Sequence, residues 1–309
     1  MIHNDAFHAG EIAVQTRAGE RAIAAGRESV IRHRLNDAAK AFVEGQDTVA
    51  VAAAAPDGTL WASLWCGAKG FLRGDADGDS VRVFRELDGH AGDPVRPIVR
   101  PNEPLALLVI DLATRRRLRI NGVVRRVDHA GLELTIRETL GNCPKYIQQR
   151  VRTDGVTDKS SNDITLVQRG STLDADRRSS ITRVDTLFVA TVHGERGLDV
   201  SHRGGRPGFV RVVDDRRVRI PDYPGNSLFQ SLGNLELDSR CSIAFIDFER
   251  HRVISTSGHA VIEFGAEDPM HSSGGTGRYW SFTIDHWIEF PLPPAMRWTL
   301  VERSPFNPR

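Results

Sequence analysis

The chain repeats itself. Residues 47–73, DTVAVAAAAPDGTLWASLWCGAKGFLR, and residues 185–213, DTLFVATVHGERGLDVSHRGGRPGFVRVV, follow one plan: Asp-Thr, an apolar strand, a turn, a second strand, and a glycine loop ending at Gly-Phe. Further on, PLALLVIDLATRRRLRINGVVRRV (104–127) is echoed by CSIAFIDFERHRVISTSGHAVI (241–262), with Ile110-Asp111 matching Ile246-Asp247 and Gly122 matching Gly258. A repeat of this length implies two copies of one β domain. The second copy is richer in glycine and polar groups, so a site is expected there.

The totals set outer bounds. A chain of 309 residues has room for two ordinary domains. With 41 Lys+Arg against 40 Asp+Glu, nothing in the net charge calls for nucleic acid or an anionic membrane as partner. No apolar run approaches the roughly 18–20 residues that span a bilayer. The N-terminal MIHNDAFHAGEIAVQ lacks the basic and apolar regions of a secretory signal. Cys66, Cys143 and Cys241 lie far apart and in odd number, which fits neither a disulfide framework nor a CxxC metal pair. The expectation is a soluble, cytoplasmic protein.

Five regions follow along the chain. Residues 1–45 read as a helical arm, with apolar residues at helical spacing through Val30, Ile31, Leu35, Ala38, Ala39 and Phe42, packed on the first β unit. Residues 46–150 are that first unit. Its GDADGDS segment (74–80) lacks the glutamate of a calcium loop and reads as a hairpin turn. The run Arg115-Arg116-Arg117 reads as a solvated turn, with a cofactor phosphate as the less favoured alternative. Residues 151–180 form a polar linker, 181–264 the second unit, and 265–309 a C-terminal strand and proline-rich tail. Short strands with glycine turns argue for a mainly β fold with helical decoration.

Two loops of the second unit suit a phosphate. Ser201-His202-Arg203-Gly204-Gly205-Arg206-Pro207-Gly208-Phe209-Val210 offers glycines for close backbone approach and arginines for paired hydrogen bonds. It lies between strands, so it is neither a P-loop nor a Rossmann fingerprint. The segment from Pro221 to Leu235 carries a Pro-Gly turn, with Asn226 or Ser227 expected to cap a short helix whose start favours an anion. Ser227, Ser231 and Asn234 share helical spacing.

Together these loops, DVSHRGGRPGFVRV and IPDYPGNSLFQSLGN, resemble the flavin-nucleotide site of the pyridoxamine 5'-phosphate oxidase-like split barrels, in a branch of FMN-dependent enzymes with patterns like DxSxxGxxPGFVxV and IPDxPGNxxxxSLxN. The resemblance is strong over 185–264 and looser in the first unit and in GNCPKYI (141–147). It implies two tandem split β-barrels, the first degenerate, with FMN at an interface between barrels. The partner barrel is either the first unit, as an internal pseudo-dimer, or a second copy of the chain.

Residue by residue, the resemblance places Ser201, His202, Arg203, Gly204 and Gly208 to Val210 along the flavin, with Ser231 and Asn234 near its phosphate or ribityl chain. Arg203, Arg206 or Lys145 is a candidate donor to the reduced ring. His202 is a candidate proton relay, set against an exposed hairpin histidine. Trp65, Lys69, Lys145 and Tyr146 are candidates for the wall of the site. No HExxH and no metal-ligand spacing is present, although His251, His259, His271 and His286 leave a haem ligand open. The implied function is an FMN-dependent oxidoreductase reduced by NAD(P)H or a separate flavin reductase. It would act on a small molecule or oxygen. A deazaflavin enzyme and a non-catalytic flavin or haem carrier are the alternatives.

Overall fold

The computed structural model describes residues 6–84, 92–141, 143–154, 167–293 and 296–308. Seven strands build the first unit: β1 (Thr48–Ala54), β2 (Leu60–Cys66), β3 (Leu72–Gly74), β4 (Ser80–Phe84), β5 (Pro104–Asp111), β6 (Arg116–Asp128) and β7 (Gly131–Gly141). Two short strands follow, β8 (Gln149–Asp154) and β9 (Gln168–Gly170). The second unit takes β10 (Thr186–His193), β11 (Gly197–Gly204), β12 (Arg211–Val212), β13 (Arg217–Pro221), β14 (Arg240–Asp247), β15 (Arg252–Glu263) and β16 (Tyr279–Pro291), and β17 (Met296–Glu302) follows.

The two sheets have the same strand order. The first runs β2-β1-β5-β6-β7-β4-β3 and the second β11-β10-β14-β15-β16-β13-β12, so each strand has its counterpart at the same place. In each unit one face of the sheet wraps a single apolar core, forming a barrel. The fold is mainly β: two tandem split barrels with helical decoration. β16 is integral to the second barrel, pairing with both β15 and β13. That barrel therefore runs to Pro291 and does not stop at 264. The region read as a linker supplies β9, which adds to β16, and β8, which pairs with β17.

The repeated residues are structural. Asp47 and Asp185 each accept a hydrogen bond from the hydroxyl of the following threonine, at 2.8 and 2.9 Å. They also pair with neighbouring arginines of β8, Arg152 at 3.0 Å and Arg150 at 2.7 Å. Asp111 and Asp247 accept backbone N–H groups in the tight turns that follow them. Gly122 and Gly258 sit at register shifts in β6 and β15, where a Cβ would collide with a carbonyl oxygen of the adjacent strand, Thr135 or Thr283.

Strand alternation divides the apolar residues between two cores. In β1, Val49, Val51 and Ala53 fill the first barrel, while Ala50 and Ala52 face outward. In β10, Leu187 and Val189 fill the second barrel, while Phe188 and Ala190 face outward. The outward residues of both sheets meet in one shared core with Leu64, Leu108, Val200 and Ile246. Backbone groups of Ala62 bond across this seam to the Ser242 and Ser255 hydroxyls at 2.8 and 2.6 Å. The barrels thus pack face to face within one chain.

The helical arm differs from the sequence expectation. It is broken into α1 (Ala9–Arg17), α2 (Arg21–Ala25) and α3 (Asp37–Glu44); α4 (Ala175–Arg183) and α5 (Gln230–Leu237) belong to the second unit. Val30 and Ile31 lie outside the α-helices. α3 packs on β3 of the first barrel and Arg32 bridges to Thr139 of β7, while α1 lies across α5 of the second. Gly10 and Gly233 permit this crossing, since a Cβ on either would strike the opposing helix. The 74–80 segment is a hairpin turn between β3 and β4, tied by Asp75 and Ser80. The TDKSSND stretch of the polar linker lies outside the described residues.

Candidate functional site

A cleft opens where the second barrel's hairpin and α5 face β6 of the first barrel. Its volume is about 80 Å³.

β11 positions one wall by alternation. Asp199 and Ser201 face α5, while Leu198 and Val200 face the seam. Ser201 Oγ lies 2.6 Å from Ser231 Oγ, and Ser231 donates to Asp199 at 3.0 Å. Arg119 of β6 reaches across the seam to Asp199 at 2.8 Å and also donates to Gln230. Gln230 donates in turn to Glu138 at 2.7 Å. The hairpin and helix therefore lie side by side, tied to the opposite barrel.

The cleft is rich in positive charge. Arg117, Arg119, Lys145 and Arg203 line it, with Asp222 as the lining carboxylate. Asp222 is held mainly by Arg278 at 3.0 Å and stands 3.9 Å from Arg203. Arg117 donates to the carbonyls of Cys143 and His202, so no carboxylate among the described residues balances it. Burial, then the neighbouring Arg203 and Arg119, pushes its guanidinium down to about 9. Arg203 Nε, Arg119 Nε and both ring nitrogens of His202 are buried with no hydrogen-bond partner among the described residues.

His202 corrects the sequence reading. It is not exposed: the residue is 2% exposed and its ring meets Phe188 edge-on at 5.8 Å. Burial, followed by Arg117, Arg203 and Arg150, holds its pKa well below the usual histidine value. The imidazole stays neutral.

Of the other candidates, Ser201, Arg203, Gly204, Phe209, Asn226, Ser227, Ser231, Lys145 and Tyr146 line the cleft. Arg206 and Gly208 are exposed in the hairpin turn and lie away from it. Val210 is in the second barrel's core. Asn234 faces the other way, donating to Thr191 at 3.0 Å and meeting His8 at 3.0 Å. Neither Asn226 nor Ser227 caps α5: its N-cap is Phe229, in left-handed conformation with φ 57°. Trp65 is in the first barrel's core, donating to Asp93 at 2.8 Å, and Lys69 does not line the cleft. His251 and His259 bond separately, to the Pro293 carbonyl and to Asp285. No metal-ligating cluster of His, Cys, Asp and Glu occurs among the described residues.

The sequence reading missed Arg119, and it placed Arg117 in a run taken as a solvated turn, with a cofactor phosphate as the less favoured alternative; the structure puts both in the cleft. The signal is the alternation in β6, where Arg117, Arg119 and Asn121 share one face and Leu118 and Ile120 fill the core. The corresponding face of β15 carries Val253, Ser255 and Ser257 instead, and Ser255 is bonded to β2. The pseudo-symmetry is broken at this face, which supports one such site per chain. Tyr223 and Phe229 also line the cleft; Tyr223 meets Tyr146 with the rings tilted by 41° and their centroids 4.9 Å apart.

No family model and no curated protein matches the sequence. Solved structures similar to the chain include HupZ from Group A Streptococcus, with 17% identity over 36% of this chain and 90% of that one and a TM-score of 0.29. Others are a putative pyridoxamine 5'-phosphate oxidase from Lactobacillus delbrueckii (12% identity, 38% and 94% coverage, TM-score 0.31) and a FAD-binding protein from Mesorhizobium loti (11%, 40% and 98%, TM-score 0.28). No helix among the described residues is long and apolar enough to cross a membrane. The loop motifs DVSHRGGRPGFVRV and IPDYPGNSLFQSLGN, both of which line the cleft in part, are what resembles the pyridoxamine 5'-phosphate oxidase-like split barrels.

Proposed function

We propose that the chain binds flavin mononucleotide in the seam cleft and acts as a flavin-dependent oxidoreductase on a small organic molecule or oxygen, with electrons from NAD(P)H or a separate flavin reductase. The observation that carries this reading is the cationic cleft with orphaned donors, built from the two loops whose motifs resemble a flavin-nucleotide site. Bound flavin supplies the electron or hydride transfer. The residues supply binding and electrostatics. Arg203 and Arg117 hold positive charge at the floor for a phosphate. Gly204 and Gly205 keep the hairpin closed, since a Cβ on Gly204 would strike the Tyr146 carbonyl and one on Gly205 would lie 2.5 Å from the Phe209 ring. Phe209, Phe229 and the tyrosine pair shield the cleft from water. Lys145 lines the wall, with its ammonium 5.4 Å from the Phe306 ring centroid.

A second reading, a flavin carrier without catalysis, is favoured by the state of the proton-bearing groups. His202 is held neutral, and burial pushes the Tyr146 phenol up to about 12. Neither trades protons near neutral pH.

The test is the spectrum of the purified protein, with mass identification of whatever heating releases. FMN supports the proposal; a colourless protein that takes up no added FMN overturns it. A deazaflavin or a Soret band would replace the cofactor. Bleaching by NADPH with reoxidation in air separates the enzyme from the carrier. Arg203→Ala should weaken FMN binding roughly tenfold or more, the scale of a lost charge-assisted hydrogen bond.

A further inference from the structure

A second groove adjoins the cleft, across the wall formed by Arg117 and the 143–144 segment. It lies between residues 30–42 and the ends of β6 and β7, with a volume of about 460 Å³. Its lining divides into two kinds. Val30, Phe42, Leu118 and Leu140 give it an apolar part, and Arg32, Arg34, Arg115, Arg116 and Arg117 also line it. No Asp or Glu among the described residues lines it.

The arginines differ in how far their charge is spent. Arg115 is bound to Glu302 at 2.7 Å and to the Ile147 carbonyl, so it serves the C-terminal segment. Arg34 has only a loose pairing with Asp79, at 3.8 Å between two exposed side chains. Arg116 lies over the Phe42 ring at 4.8 Å, and neither it nor Arg32 pairs with a carboxylate among the described residues. Stacking on an aromatic face orients a guanidinium and leaves its N–H edge free for an oxyanion. Like charges gathered without a counter-charge repel one another, and a bound anion relieves that repulsion.

We propose that this groove is a binding site for an organic phosphate, its phosphate held by Arg32, Arg34 and Arg116 and its apolar body lying on Phe42, Leu118 and Leu140. The site is separate from the flavin cleft and does not depend on the flavin reading. The mixed lining selects for the ester: the apolar part adds burial of apolar surface that inorganic phosphate does not have.

The experiment titrates phenyl phosphate and inorganic phosphate into the purified protein by calorimetry. The variants are Arg32→Ala/Arg116→Ala, Arg203→Ala and, as an exposed control on β17, Arg297→Ala. The expected result is one phenyl phosphate per chain, bound more tightly than inorganic phosphate. The double variant should bind it at least about tenfold more weakly, as expected for losing charge-assisted hydrogen bonds, while Arg203→Ala and Arg297→Ala leave it unchanged. Equal affinity in the double variant, no binding at millimolar concentration, or loss in Arg203→Ala alone would each overturn the proposal. The last outcome would move the anion into the flavin cleft without bearing on whether that cleft takes FMN.

Discussion

At the scale of single residues, the hairpin shows how composition and placement diverge. Arg203 and Arg206 are three positions apart in one glycine-rich loop and are equal in chemistry. Arg203 lies on β11 and turns its guanidinium into the cleft, whereas Arg206 sits in the turn and faces solvent. Arg206→Ala should therefore leave FMN affinity within about twofold, since a surface substitution away from special features changes little; fluorescence titration with FMN checks this. Gly204→Ala should behave oppositely. Its Cβ meets the backbone carbonyl of Tyr146, which cannot swing aside as a side chain can. The expected cost is roughly 1–3 kcal/mol of stability, with loss of bound FMN, read by chemical denaturation and cofactor content. The sequence displayed both residues as glycine and arginine in a loop. It did not display which arginine the strand would carry inward.

At the scale of elements, the junction of α1 and α5 is set by small residues and buried acids. Gly10 and Gly233 bring the helices together, and Glu11 is carried into the contact at 3% exposure. Its carboxyl is pushed up to about 8, first by burial and then by the nearby Glu138 and Asp199, against the His8 N–H and Arg196, which act the other way. His8 is lowered to about 4, by burial first, with His193 and Arg196 adding to it. Both stay neutral at pH 7, so their 3.5 Å approach is no ion pair. A carboxyl with a raised folded pKa contributes most at low pH, and that contribution is lost as pH rises toward 8. His8 works in the opposite sense, but only below its unfolded value of 6.5. Between pH 6.5 and 8, stability should therefore fall with pH. Glu11→Gln should flatten that fall, as read by Tm against pH; an unchanged slope would place the titration elsewhere. Separately, Gly233→Ala should cost about 1–3 kcal/mol, because its Cβ meets Glu11 backbone atoms. Helical character in the arm was legible from its Ala, Glu and Arg content. Its docking on the second barrel was not, because two glycines matched to two opposing backbones leave no periodic trace.

At the scale of the whole molecule, the shared core between the barrels makes two domains one folding unit. Phe188 is fully buried there, between the sheets and beside His202. Phe188→Ala should cost about 3–5 kcal/mol. In urea the whole protein should unfold in a single transition that shifts as a unit; two transitions, with only one moved, would show the barrels to be independent. The sequence by itself determined the repeat, the alternation that splits each strand into two faces, the aspartate turns, the bulge glycines and the loops that face the cleft. These are local features, fixed by backbone geometry within a strand or turn. The tertiary structure alone decided that β6 of the first barrel arms the site of the second, that His202 is sealed and neutral, and that Asn234 turns away. A period of two assigns residues to a face but carries no information about what covers that face. The burial, charge and reach of Arg117, Arg119 and His202 come from the covering barrel.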